Sequence, residues 1–192
     1  KSAAAAEMHT GSYYSDCMSS NGQPGVVVTG IGAVSPFGVG RERYWDHVCR
    51  GVSGCKAITQ FDASSYACRV AAWVPPVSMD DATGIDGDDD GEGHTDSKRY
   101  SRAALFGVIA AREAWRDAGL RAGEPGAAVL IGSGGGGIDV GEKQYEDFFT
   151  NSGRRVTPYA IALGICGMVS SEISIALRLH GLSHVLSCGC TS

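Results

Sequence analysis

Ala127-Ala128-Val129-Leu130-Ile131-Gly132-Ser133-Gly134-Gly135-Gly136-Gly137 is the stretch that decides the architecture of this 192-residue chain. A short, unbroken apolar run closed by glycine has the pattern of a strand buried on both faces of a sheet. The glycine run supplies a tight exit turn, and the amphipathic stretch that follows to Phe149 reads as a helix. Strand passing directly into helix places a ligand beyond the strand's carboxyl end.

The same alternation extends outward on both sides. Toward the C-terminus, Thr157-Pro158 supplies a helix cap and a first-turn proline, and Val169, Ile173, Ala176 and Leu177 line one face of a helix stopped by Gly181. A further strand over Ser183–Ser187 then leads into Cys188-Gly189-Cys190. Toward the N-terminus, Ser97 is the expected cap of a helix reaching Ala118, because Ala104, Leu105, Val108, Ala111, Trp115 and Ala118 recur at helical spacing before Gly119. Val26-Val27-Val28-Thr29, β-branched and stopped by Gly30, reads as another doubly buried strand. Tyr44, Trp45 and Val48 fit a short helix after Gly40. The segment holding Phe61, Tyr66, Val70 and Trp73, ended by Pro75-Pro76, reads as loop with short strands. Strands alternating with helices define a layered α/β fold with a largely parallel sheet.

Two segments lack the means to form a core. Residues 1–25 show no periodicity and read as a tag or disordered tail, leaving 26–192 as the folded unit. Asp80–Asp96 holds Asp88-Asp89-Asp90, several glycines and almost no apolar side chains, and is expected to be a mobile acidic surface loop.

Composition sets limits on function. With 43% hydrophobic and 19% charged residues the chain has the makeup of a globular domain. A formal charge of -5 leaves no overall electrostatic footprint for nucleic acid. No apolar run approaches the roughly 18 residues of a membrane span, and no basic segment leads into an apolar signal core, so a cytoplasmic protein without membrane contact is expected. The seven cysteines are odd in number, without C-x-x-C pairs or zinc-type spacing, so reduced thiols and no metal are expected.

Two motifs bear on chemistry. Gly132-Ser133-Gly134-Gly135-Gly136-Gly137 satisfies G-x-G-x-x-G after a strand, the pattern of a dinucleotide turn. The acidic residue needed about 20 positions on is replaced by the neighbourhood of Arg154 and Arg155. Gly30-Ile31-Gly32 starts the same pattern but has Ser35 in place of the third glycine. Cys190 stands directly after a strand where a helix would start, and unpaired N–H groups there favour a thiolate. With small Gly189 beside it, the thiol is placed as on a nucleophile elbow. A buried structural thiol satisfies the local pattern equally.

Several segments in order resemble β-ketoacyl synthases, the condensing enzymes of fatty-acid and polyketide assembly. They are Val26–Gly38 (Val-Val-Val-Thr-Gly-Ile-Gly-Ala-Val-Ser-Pro-Phe-Gly), Phe61-Asp62-Ala63-Ser64, Ala111–Leu120, Ile131-Gly132-Ser133-Gly134, Arg154–Pro158 and Cys188-Gly189-Cys190-Thr191-Ser192. The resemblance runs from about Val26 to Ser192. It implies a thiolase-like layered αβαβα fold, of which this chain is the first half, and Cys190 as the nucleophile of a decarboxylative Claisen condensation with malonyl-acyl carrier protein. It implies no cofactor beyond the phosphopantetheine of the acyl carrier protein. A second ketosynthase or a chain-length-factor subunit is the implied dimer partner. A thiolase-type acyltransferase, or a nucleotide-binding or structural subunit built on the glycine turns, is the alternative.

The departures from the family pattern carry their own expectations. Gly189 replaces the usual alanine, and Cys188 stands where a hydroxyl residue is common, either as packing or as a redox-sensitive neighbour of Cys190. Gly135 falls where fatty-acid elongating relatives often carry an apolar residue gating the acyl pocket; it either opens that pocket or reflects drift in a glycine run. Lys98, Arg99, Arg154 and Arg155 align with basic positions used for carrier-protein docking, or are solvated charges flanking helices. The family's decarboxylating residues, two histidines and a lysine, fall downstream of the cysteine, and none of His9, His47, His94, His180 or His184 matches them. The chain as given is therefore expected not to condense anything alone.

Overall fold

A computed structural model of the chain describes residues 25–82 and 100–192. Residues 1–24, most of the expected acidic loop, Ser97, Lys98 and Arg99 lie outside the described residues. In chain order the elements are β1 (Val34–Ser35), β2 (Gly38–Val39), α1 (Arg41–Cys49), β3 (Lys56–Ala57), β4 (Val70–Ala71), a 3-10 turn (Met79–Ala82), α2 (Arg102–Asp117), β5 (Val129–Gly132), α3 (Ile138–Thr150), α4 (Ala160–Gly164), α5 (Met168–Ala176), β6 (Ser183–Leu186) and a second 3-10 turn (Gly189–Thr191).

The core forms where α2 lies on α5. Helix α2 starts on Ser101, whose hydroxyl accepts a hydrogen bond from the Ala104 N–H at 3.2 Å, satisfying one of the first-turn donors. Ala104, Leu105, Val108 and Ile109 then share one face and are buried. They meet Val169, Ile173 and Leu177, with Val129, Leu179 and Met79 closing the cluster. The helices come together at Gly107, where an added Cβ would stand 3.1 Å from Val169 Cγ1 and 3.2 Å from Ile173 Cδ1.

Beside this helix pair, β5 and β6 run parallel in the register Val129↔Ser183 through Gly132↔Leu186. The sequence reading of β5 as doubly buried is corrected. Val129 is buried, whereas Leu130, Leu182 and Leu186 are exposed on the face that α5 does not cover. The expected largely parallel sheet is, among the described residues, this one parallel pair beside two short antiparallel hairpins, β1–β2 and β3–β4.

The expected strand at Val26–Thr29 is also corrected: it has no strand geometry, and Val26 and Val28 are exposed. β-branched residues make a strand only when their backbone groups find a ladder, and the residues that follow this segment find a helix instead. Glu113 and Asp117, one turn apart on α2, present carboxylates to the incoming chain. Asp117 Oδ2 accepts from the Ile31 N–H at 3.0 Å. The two Glu113 oxygens accept from the Ala33 and Arg41 N–H groups, both at 2.8 Å. Arg41 adds an ion pair to Asp117. Gly30 and Gly32 lie so close to the backbone of α2 at Ala114 and Ala110 that no side chain fits at either position.

The single helix expected after Thr157-Pro158 is two. Thr157 Oγ1 accepts from the Tyr159 N–H at 3.3 Å in a local turn, so α4 starts only at Ala160. The chain then extends at Ile165 (ψ 142°) and restarts as α5 after Gly167. Among the described residues no helix is long and apolar enough to cross a membrane.

Candidate active site

Cys190 sits on the 3-10 turn Gly189–Thr191, four residues past the end of β6, with its side chain exposed and free. Gly189 has φ 65°, a left-handed conformation that residues with a Cβ adopt at a cost. A Cβ there would meet nothing within 4 Å, so glycine serves the backbone conformation and leaves open space beside the thiol. Two hydroxyls brace the turn from inside. Ser192 Oγ accepts from the Cys188 N–H at 2.7 Å and donates to the Gly189 carbonyl at 2.9 Å. Thr191 Oγ1 donates to the Cys188 carbonyl at 3.0 Å. Cys188 is also exposed and unbridged, so the reading of it as a packing residue does not hold in this structure.

The glycine run from β5 lies against this turn. The Ser133 N–H donates to the Leu186 carbonyl at 3.0 Å, carrying the β5–β6 pairing one residue past Gly132. Gly134 then faces Gly189, with its would-be Cβ 3.5 Å from Gly189 Cα and O. Ser133 folds back so that its Oγ accepts the Gly136 N–H at 3.0 Å, and Gly137, at φ 86°, caps α3. The turn is therefore engaged by its own serine and by the cysteine turn, an arrangement unlike an open pyrophosphate cradle. Gly135 points a bare Cα into open space, with nothing within 4 Å of a Cβ.

Arg154 and Arg155 follow α3 at its other end, exposed, with Arg155 at φ 66°. The Thr157 N–H donates to Gln144 Oε1 at 2.8 Å and ties this segment back to α3. The 13 residues of α3 make it about 20 Å long, and the arginines follow its end opposite the glycine turn. The structure thus brings the glycine run, through Gly134, against the turn that carries Cys190, and places the arginines after the other end of α3. His184 pairs with Leu130 in the body of the sheet, and the His47 ring stacks on Phe37 with centroids 4.1 Å apart, so neither joins the thiol. Sequence reasoning missed the roles of Thr191, Ser192 and Ser133. Their positions beside the cysteine and in the glycine run were visible, but only the folded turns show which backbone groups their hydroxyls hold.

An exposed thiol at the carboxyl end of a parallel strand pair, on a turn seated against glycines, places the chain among layered α/β proteins that present a cysteine at a strand end. The family model for the β-ketoacyl synthase N-terminal domain matches residues 23–192. The chain belongs to that family. It is 35% identical over 173 residues to 3-oxoacyl-[acyl-carrier-protein] synthase 2 of Coxiella burnetii, covering 87% of this chain and 39% of that protein. The like-named Staphylococcus aureus protein is 32% identical over 162 residues, covering 81% and 36%. The chain therefore spans about two fifths of the length of these curated relatives. Among solved structures, the ishigamide ketosynthase/chain length factor superposes with a TM-score of 0.69 at 25% identity, over 84% of this chain and 39% of that one. AntDE:AntF, titled a type II polyketide acyl-carrier protein in complex with its ketosynthase bound to the hexaketide, matches the fold with a TM-score of 0.58 at 19% identity, over 86% and 38%. The fold is the N-terminal half of the thiolase-like ketosynthase fold, as the resemblance implied.

Proposed function

We propose that this chain forms the acyl-accepting half of a β-ketoacyl synthase, with Cys190 as its nucleophile. The observation that carries the reading is the exposed Cys190 thiol, held on a hydroxyl-braced turn at the carboxyl end of the β5–β6 pair, in a chain of this family. In the first step the Cys190 thiolate attacks the carbonyl carbon of an acyl thioester on the phosphopantetheine of an acyl carrier protein. The new carbon–sulfur bond forms, the carrier's sulfur leaves and takes up a proton, and the acyl group rests on Cys190. A malonyl-carrier thioester then loses carbon dioxide, and the resulting carbanion attacks the acyl-Cys190 carbonyl. The Cys190 thiolate is released and a β-ketoacyl-carrier thioester departs. The residues assigned here serve the first step; the family's two histidines and lysine serve the decarboxylation.

The bare Gly135 leaves room for a long or rigid acyl chain beside the thiol. Arg154 and Arg155, with Lys98 and Arg99, form the docking contacts for an acidic carrier protein, and a second ketosynthase or chain-length-factor subunit completes the assembly. The complexes named for AntDE:AntF and for the ishigamide pair support these partners by analogy. The setting is cytoplasmic, in fatty-acid or type II polyketide synthesis, with no cofactor of the enzyme's own.

Intact-mass and peptide mapping of the whole protein after incubation with an acyl-carrier thioester test the reading. One acyl group per chain, mapped to Cys190 and absent from Cys190→Ala, is expected. An acyl group that persists in Cys190→Ala overturns it.

A further inference from the structure

The contact between the glycine run and the cysteine turn is made by backbone on backbone, and its tolerance for a side chain changes sharply from one glycine to the next. At Gly132, the last residue of β5, a Cβ would stand 2.5 Å from the Ser192 carbonyl carbon and 2.9 Å from its oxygen. Real Cβ atoms do not approach backbone so closely, so either β5 or the turn holding Cys190 would have to move. At Gly134 the Cβ would stand 3.5 Å from Gly189 Cα and O, an ordinary contact. At Gly135 it would meet nothing. No positive φ is recorded for Gly132 or Gly134, so the backbone conformation does not demand glycine at either position. What demands it at Gly132 is the closeness of the turn.

We propose that Gly132 is a positioning residue for the Cys190 thiol: its missing side chain lets the end of β5 seat directly under the Gly189–Ser192 turn, and this seat fixes where the thiol stands. Gly134 extends the seat without being obligatory to it. The Ser133 N–H bond to the Leu186 carbonyl locks β5 to β6 immediately beside the contact, so an added atom at Gly132 cannot be relieved by sliding the strands. The displacement falls on the turn instead. Its internal ties, the Ser192 and Thr191 hydroxyls on Cys188 and Gly189, move with it as a unit and do not anchor it to the sheet. The inference rests on the reading of Cys190 as nucleophile for its meaning in catalysis, but its test does not depend on condensation.

The experiment measures the rate of Cys190 alkylation by iodoacetamide as a function of pH, read by mass mapping, in the intact protein, in Gly132→Ala and in Gly134→Ala. Acyl transfer to Cys190 from an acyl-carrier thioester is measured in parallel. Displacing a reacting group by about an ångström costs on the order of a hundredfold in a positioned reaction, so Gly132→Ala is expected to lose acyl transfer on that scale and to shift its alkylation profile. Gly134→Ala is expected to change both by only a few-fold. A Gly132→Ala protein whose alkylation profile and acyl-transfer rate equal those of the parent overturns the proposal. Should Gly132→Ala not fold, Gly134→Val, which presses three carbons against Gly189 on the same turn and so displaces it from the glycine run, decides: a parental profile in it likewise overturns the proposal. Failure of the nucleophile reading shows separately, as acylation of the parent at a residue other than Cys190.

Discussion

Removing the Glu113 carboxylate should release the entry segment of the chain from α2. Its two oxygens accept the Ala33 and Arg41 N–H groups at 2.8 Å, across sequence separations of 80 and 72 residues. Bonds to a charged acceptor contribute roughly 1.5–3 kcal/mol each. Because Glu113 is half-buried, water recovers part of this, and Glu113→Ala is expected to cost about 2–4 kcal/mol. Glu113→Gln keeps one acceptor oxygen and turns an amide donor toward the other N–H, so it should lose at least half of that. Amide hydrogen exchange separates this local effect from global unfolding. In Glu113→Ala, protection at Ala33 and Arg41 should fall by roughly thirtyfold or more, while Val108 and Ile109 in the core of α2 fall only by the global change. Ala33 and Arg41 amides that exchange in Glu113→Ala no faster than those core amides would refute the reasoning, because the carboxylate would then hold neither.

Three other perturbations follow. Ile109 is wholly buried between α2 and α5, and Ile109→Ala should lower the urea-unfolding free energy by about 2–5 kcal/mol with an unchanged slope. Gly135→Ile fills the open space at Gly135 and, under the proposed function, should shift acyl preference toward short chains, measured as the ratio of kcat/KM for long and short acyl carriers; an unchanged ratio removes Gly135 from the pocket. Replacing Arg154 and Arg155 together by Glu should weaken carrier-protein binding by about tenfold or more at low salt, with the difference shrinking as salt rises.

The helices were legible because their signals are local. The face of α2 built on Ala104, Leu105 and Val108 follows from spacing alone, and only its cap moved, from Ser97 to Ser101. β5 and β6 were legible as strands, but their burial was not. A run such as Val129-Leu130-Ile131 states that both faces are apolar and cannot state that a helix covers only one of them. Val26–Thr29 failed for a related reason. Its β-branched side chains favour extension, yet whether a segment joins a ladder is settled by the partner that reaches its N–H groups, and here Glu113 and Asp117 reach the residues that follow. At the site, Cys190 was marked by motif resemblance. The seat beneath it was not, because a glycine chosen for a tight turn and one chosen for close backbone approach look the same in sequence. Gly189 and Gly132 are one of each.

Within the proposed reaction, the two ends of α3 have separate tasks. Its N-terminus follows the glycine turn that lies against the cysteine turn, and Arg154 and Arg155 follow its opposite end, with α3 itself about 20 Å long. The chain carries a net charge of -5, so an acidic carrier gains no attraction from the molecule as a whole. At physiological salt the screening length is about 8 Å, which confines any attraction to the arginines' own surroundings. The cation of α3 itself does not extend that patch, because Lys143 already pairs with Glu146 and Asp147 at 3.6 and 3.2 Å. Under the proposed docking, a carrier held at the arginines delivers its acyl group to Cys190 through a long, flexible thioester arm. That geometry ties the choice of substrate to the form in which the acyl group is delivered. A free thioester lacking the carrier should acylate the same thiol, and its rate should be indifferent to the Arg154 and Arg155 charge reversal that slows the carrier-borne substrate.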